Sequence, residues 1–275
     1  MADMKAQVNG IELCYKISGS GYPLILIHGY GGQKEDWLPQ VIELSKYFKI
    51  IYFDNRCSGE SDHPNQPIKM ETFVQDLKSV MDFLGIQKAH IAGRSLGGMI
   101  VQQFLVSYPE MVNKVILINT HYSGEMGEII VQSSLNSLST KNVNPEEVFW
   151  NDAMFLFHSS FRRELKKNPT KKFYNLFTLN DLINKFRDRT INKEDLINQG
   201  YSFKNFNLID KLSSIKRPIL LIGAENDRIL PHSQMIEMHK KLPNSRLVII
   251  KKAGHGSPIS KAPKINELIK NFLQE

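Results

Sequence analysis

The stretch AHIAGRSLGGMIVQQF, Ala89 to Phe104, sets one serine between glycines where an apolar run gives way to a helical pattern. A hydroxyl that needed only solvent would not require neighbours lacking side chains. A hydroxyl held on a sharp strand-to-helix turn would, because flanking Cβ atoms clash there. HIAGRS reads as the end of a strand and LGGMIVQQF as the start of a helix. Gly93-Arg94-Ser95-Leu96-Gly97 therefore matches G-x-S-x-G in the one setting that gives this short pattern meaning. The helix start adds backbone donors and a positive dipole beneath the hydroxyl.

Outward from this turn, apolar runs alternate with amphipathic stretches. PLILIHG and KIIYFD are short, continuously apolar runs suited to buried parallel strands, and IELCYKIS is β-like. DWLPQVIELSKYF has helical spacing with Pro39 in its first turn. ETFVQDLKSVMDFLG puts Phe73, Val74, Leu77, Val80, Met81 and Leu84 on one stripe, which Gly85 can close. The helix opened by Ser95 should end before Pro109, and VNKVILINT is again a strand.

After His121 the rhythm changes. To about Ile215 there is no clear buried strand, only helical patches rich in aromatics: Phe149, Trp150, Phe155, Phe157, Phe161, Phe173, Tyr174, Phe177 and Phe186. The alternation resumes with RPILLIGAEND, a helix near HSQMIEMHKKL, the strand SRLVIIKKAG and a last helix, APKINELIKNFLQE. This pattern specifies an α/β fold, a mainly parallel sheet covered by helices on both faces. The expected organisation is a core formed by residues 1–120 and 216–275, with 121–215 inserted as a helical cap. Most cap aromatics should serve the cap's own packing. Trp150 and Phe155 are candidates to line an apolar substrate pocket.

Composition bounds the rest. The chain has 275 residues, 41% hydrophobic and 23% charged, which suits a globular core and speaks against disorder. The formal charge of +7 raises the question of nucleic acid. The main basic cluster, RRELKKNPTKK (Arg162 to Lys172), lacks a nucleic-acid module and reads as a solvated helix face. Cys14 and Cys57 are the only cysteines, with no metal-type spacing, and both sit in segments expected to be buried. No apolar leader or membrane-length run is visible, so a cytoplasmic protein without a membrane span is expected, its oligomeric state open.

Serine is a poor nucleophile unless a base takes its proton, and the base needs an orienting acid. On this architecture the partners should follow the serine on loops after later strands, acid first and histidine last. Of eight histidines, His28, His63 and His90 precede Ser95, and His121 and His158 precede every later strand. His232 lies five residues beyond Asp227, and His239 sits mid-helix among lysines. His255, between Gly254 and Gly256 after LVIIKKAG, is the expected base. Asp227, ending PILLIGAEND, is the expected orienting carboxylate, with Glu225 the nearby rival. Negative charge developing on a carbonyl oxygen needs two donors. These are assigned to the backbone N–H of Leu96 and, in the loop His28-Gly29-Tyr30-Gly31-Gly32, that of Tyr30.

HGYGG, FDNRCSGESD, GRSLGG, GAEND and AGHG, in that order, resemble the α/β-hydrolase superfamily over nearly the whole chain outside the cap. The resemblance implies a mostly parallel eight-stranded sheet with a lid inserted after the sixth strand. It supports Ser95, Asp227 and His255 as a triad. Asp54 to Ser61 resembles the family's D-x-R-G-x-G-x-S turn, except that Cys57 replaces the first glycine, so the backbone or a neighbouring loop should be altered there. Cys57 is read as structural. Strand alternation aims Arg94 away from Ser95, towards an ion pair; an Arg94 that reached the pocket would favour an acidic substrate.

The implied activity is hydrolysis of carboxylic esters with small to medium acyl chains, through an acyl-enzyme and with no metal or organic cofactor. Relatives that open epoxides or displace halide use aspartate at this turn, which serine argues against. Enol-lactone hydrolysis, carbon–carbon bond hydrolysis, a perhydrolase side activity and a slow ligand receptor remain as alternatives.

Overall fold

The computed structural model describes residues 3–140, 144–188 and 190–275. Eight strands, β1 (Met4–Val8), β2 (Ile11–Ser18), β3 (Pro23–Ile27), β4 (Lys49–Phe53), β5 (Ala89–Arg94), β6 (Val112–Ile118), β7 (Ile219–Ala224) and β8 (Ser245–Ile250), form one sheet. Their order is β1-β2-β4-β3-β5-β6-β7-β8. β1 with β2 and β2 with β4 are antiparallel, and all other neighbours are parallel. The six parallel strands are the apolar runs of the sequence; β3 to β7 are largely buried, as strands covered on both faces should be, and β8, at the sheet edge, is half-buried. β1 goes beyond the sequence expectation. It is joined to β2 by Asn9-Gly10, both at positive φ (44° and 76°), the two-residue hairpin for which Asn-Gly is suited.

Alternation along β3 splits the core. Ile25 and Ile27 face one side, against α2 (Met70–Phe83) and α3 (Leu96–Ser107). Leu24 and Leu26 face the other, against Trp37 and α1 (Leu38–Leu44), where Val41 and Leu44 are fully buried. Pro39 falls in the first turn of α1, where its missing N–H costs nothing. Each fully buried aliphatic side chain contributes about 1.5–3 kcal/mol.

Among the described residues, five α-helices lie between β6 and β7: α4 (Gly127–Thr140), α5 (Pro145–Leu156), α6 (Ser159–Lys167), α7 (Leu179–Arg187) and α8 (Lys193–Gly200). They carry a separate apolar cluster of Phe149, Phe157, Phe161, Phe173 and Phe177, joined by Ile259 from the C-terminal part of the chain. In α6, Phe161 and Leu165 point inward while Arg163, Lys166 and Lys167 are exposed, so the basic run is a solvated face. After β7 come α9 (Ser233–Lys241), the short α10 (Ser257–Ser260) and α11 (Ala262–Gln274). α9 joins the α2–α3 side of the sheet, and α11 joins α1 through Ile265, Ile269 and Phe272. Among the described residues, no helix is long and apolar enough to cross a membrane.

Candidate active site

β5 ends at Arg94, α3 begins at Leu96, and Ser95 alone makes the turn, at φ 53° and ψ −124°. A non-glycine residue held there costs roughly 1–3 kcal/mol, which the surroundings must offset. The Ser95 N–H donates to Ile118 O (3.0 Å), and its carbonyl accepts from Thr120 Oγ1 (2.7 Å). The flanking glycines answer a close approach. A Cβ on Gly93 would lie 2.3 Å from Gly97 O, and one on Gly97 would lie 2.2 Å from Ile27 O.

Asp227 follows β7 and His255 follows β8, and both are buried. His255 Nδ1 donates to Asp227 Oδ2 at 2.8 Å. The other carboxylate oxygen, Oδ1, accepts from the N–H groups of Ile229 and Leu230, each at 2.9 Å. The backbone of His255 is held as well, its carbonyl accepting from Asn119 Nδ2 (2.9 Å). Glu225 is exposed and its carboxylate accepts from Lys252 N (3.0 Å), away from the imidazole.

Ser95 and His255 line one cavity of about 290 Å³. No hydrogen bond joins the Ser95 hydroxyl to His255 among the described residues; the wall they share also holds Gly29 and Tyr30. Gly29 lets the loop after β3 come close: a Cβ there would meet Ser95 Cβ at 3.0 Å. The N–H groups of Tyr30 and Leu96 have no acceptor among the described residues, whereas the next amide, Gly31 N, donates to Gln199 Oε1 (3.1 Å). Of the eight histidines, His255 is the one that lines the cavity. The buried ring of His28 instead accepts from Asn55 N (3.0 Å) and supports the loop from below.

The rest of the wall comes largely from the helices between β6 and β7. Phe155 lines the cavity, and Trp150 does not: its Nε1 donates to Glu146 (3.2 Å) and Lys166 sits over its ring. Arg94 is among the residues that line the same cavity as Ser95, and one of its guanidinium nitrogens is buried. Lys185, Arg187 and Arg228 add cations to the wall, with Asp36 and Asp152 as its acids. Sequence reasoning did not single out Gln199 or Leu196 of α8, which touch the Tyr30 loop; no local pattern marks them.

Cys57 takes the left-handed conformation (φ 60°), which favours glycine, so its side chain is held there under strain. Its thiol is fully buried, donates to Pro64 O (3.4 Å), and is pushed up to about 12, by burial first. Asp3, Cys14 and Glu60 are the one described group close enough to share a metal ion. Their surroundings are ill suited to it, since Asp3 already pairs with Lys16 and Lys34.

The profile of the alpha/beta hydrolase fold family matches residues 22–262, and the chain belongs to that family. Among curated relatives, human epoxide hydrolase 4 is 27% identical, over 97% of this chain and 77% of its own length. A thermophilic esterase from Thermogutta terrifontis, solved with malate bound, superposes with a TM-score of 0.82 at 23% identity, covering 100% of this chain and 98% of that one. The enol-lactonase of Burkholderia xenovorans LB400 gives 0.81 at 23% identity, covering 99% and 100%. At these identities the two structures share the fold.

Proposed function

We propose that the chain is a serine hydrolase that cleaves carboxylic esters of small to medium acyl chains, with Ser95 as nucleophile, His255 as base and Asp227 as orienting acid. The observation that carries this reading is the 2.8 Å contact of His255 Nδ1 with Asp227, on an imidazole that lines the same cavity as Ser95. With Nδ1–H given to the carboxylate, Nε2 is the ring's free lone pair. Ser95 Oγ attacks the ester carbonyl while Nε2 takes its proton. The oxyanion accepts from the N–H groups of Tyr30 and Leu96. As the intermediate collapses, the C–O bond to the alcohol breaks and His255 returns the proton to the leaving alkoxide. Water then attacks the acyl-enzyme, His255 takes its proton, and breakdown frees the acid and restores the Ser95 hydroxyl.

A cavity of about 290 Å³ lies at the small end of ligand sites, which supports short acyl chains. The inserted helices, proposed as the cap, supply Phe155 and much of the wall. At the wall Lys185 pairs with Asp36 (2.9 Å) and Arg187 with Asp188 (2.7 Å); Arg94 and Arg228 also line it and are the groups that would read a carboxylate on an ester or enol-lactone. Serine at the turn argues against the aspartate chemistry of epoxide opening.

The test is a panel of p-nitrophenyl esters graded by acyl length, with half-esters of dicarboxylic acids and a lactone added. Wild type should turn over repeatedly and Ser95→Ala should not. Tight binding with less than one turnover per molecule would instead favour a receptor.

A further inference from the structure

Gln199 is 1% exposed and uses its whole amide. Oε1 accepts from Gly31 N (3.1 Å), while the two hydrogens of Nε2 are shared among Arg56 O (3.0 Å), Cys57 O (3.0 Å) and Ser58 Oγ (2.7 Å). One side chain of α8 thus bolts the loop after β3 to the turn after β4. One helical turn earlier on α8, Leu196 O accepts from the Tyr30 hydroxyl (2.7 Å). The Tyr30 ring also packs on Phe203, 5.4 Å between centroids, and Leu196 Cδ2 sits 3.2 Å from where a Gly31 Cβ would be. Tyr30 is therefore held at its side chain and at the peptide that follows it, both times by α8. Its own N–H has no acceptor among the described residues, in a loop that shares the cavity wall with Ser95.

A lone loop of His28-Gly29-Tyr30-Gly31-Gly32 has little to fix that amide, since three of its five residues are glycines. An oxyanion donor must be aimed before charge develops, because reorienting it during reaction costs what the hydrogen bond returns. We infer that Gln199, with Leu196, positions the Tyr30 amide, so that the oxyanion site is completed by docking of the inserted segment and not by the core alone. This rests on the serine-hydrolase reading. Gln199 touches no reacting atom and is a positioning residue.

The experiment compares wild type, Gln199→Met, Tyr30→Phe and Ser95→Ala on p-nitrophenyl butyrate, with rates divided by active sites titrated in the burst. An alkyl boronic acid, which forms a tetrahedral adduct on the serine, reads the oxyanion site in the same samples. Gln199→Met keeps the side chain's length and should lower kcat per titrated site about ten- to hundredfold, with KM within about threefold. Boronate affinity should weaken by a similar factor. Tyr30→Phe, which leaves every Gln199 bond in place, should lose about three- to tenfold in the same two readouts. A purely structural Gln199 would lower the melting temperature and the titratable fraction and leave kcat per site and boronate affinity within twofold, and that result would overturn the inference. Should Gln199→Met not fold, Tyr30→Phe decides by the same criterion. Activity surviving in Ser95→Ala removes the hydrolase reading, and this inference with it; loss there with undiminished Gln199→Met and Tyr30→Phe removes only this inference.

Discussion

Asp227 and His255, on loops after adjacent strands, meet at 2.8 Å, and the carboxylate is locked on its far side by the amides of Ile229 and Leu230. A carboxylate held at both oxygens cannot swing away from the ring, so the tautomer of His255 is decided by the protein. Asp227→Asn should keep the shape and disturb the tautomer. The expected cost is about 10³–10⁴ in kcat, with the melting temperature little changed. Glu225→Gln, whose carboxylate serves Lys252 N, should stay within about twofold of wild type. Equal losses in the two variants would contradict the assignment of the acid.

Both thiols are buried, and burial pushes each up to about 12. The native protein should therefore react with neither equivalent of a disulfide reagent such as DTNB at pH 8 within minutes, and with both in guanidinium. Fast labelling of Cys57 in the native state, with loss of activity, would give that thiol a role denied to it here.

The His90 ring, buried against Tyr22 and Phe48, is pushed down to about 4, by burial first and Lys114 second. In the unfolded chain it titrates near 6.5. Between these values only the unfolded state binds the extra proton. Stability is therefore unaffected by this group above about pH 6.5 and falls as pH drops towards 4, by about 3 kcal/mol in all. Burial lowers His28 and His121 in the same direction. Urea unfolding at pH 7, 6, 5 and 4 should show His90→Phe losing less stability than wild type. Parallel slopes would show that His90 does not drive the acid loss.

Much of this was legible in the chain because it is local. Six parallel strands announce themselves as apolar runs, and Ser95, Asp227 and His255 each close one at a glycine-marked or turn-forming end. Glu225 and Asp227 could be separated only by seeing where each carboxylate points. Trp150 was an equal of Phe155 in sequence, yet its indole is turned to Glu146 and Lys166. Gln199 was invisible: its partners lie more than 140 residues away, at Arg56 to Ser58 and at Gly31, and no spacing along one helix encodes them.

Arg94 in the cavity wall bears on substrate charge. Arg94→Met should lower kcat/KM for a monoester carrying a free carboxylate by about tenfold more than for its neutral methyl-capped counterpart. Equal effects on the two esters would show that Arg94 shapes the wall without reading charge.

In the proposed reaction Ser95 becomes covalently acylated. Incubation with a fluorophosphonate, followed by peptide mass spectrometry, tests it most directly. One adduct per chain is expected, on the peptide holding Gly93-Arg94-Ser95, absent from Ser95→Ala and strongly slowed in His255→Ala. An unlabelled Ser95 in a protein that still hydrolyses esters, or hydrolysis undiminished in Ser95→Ala, would contradict it.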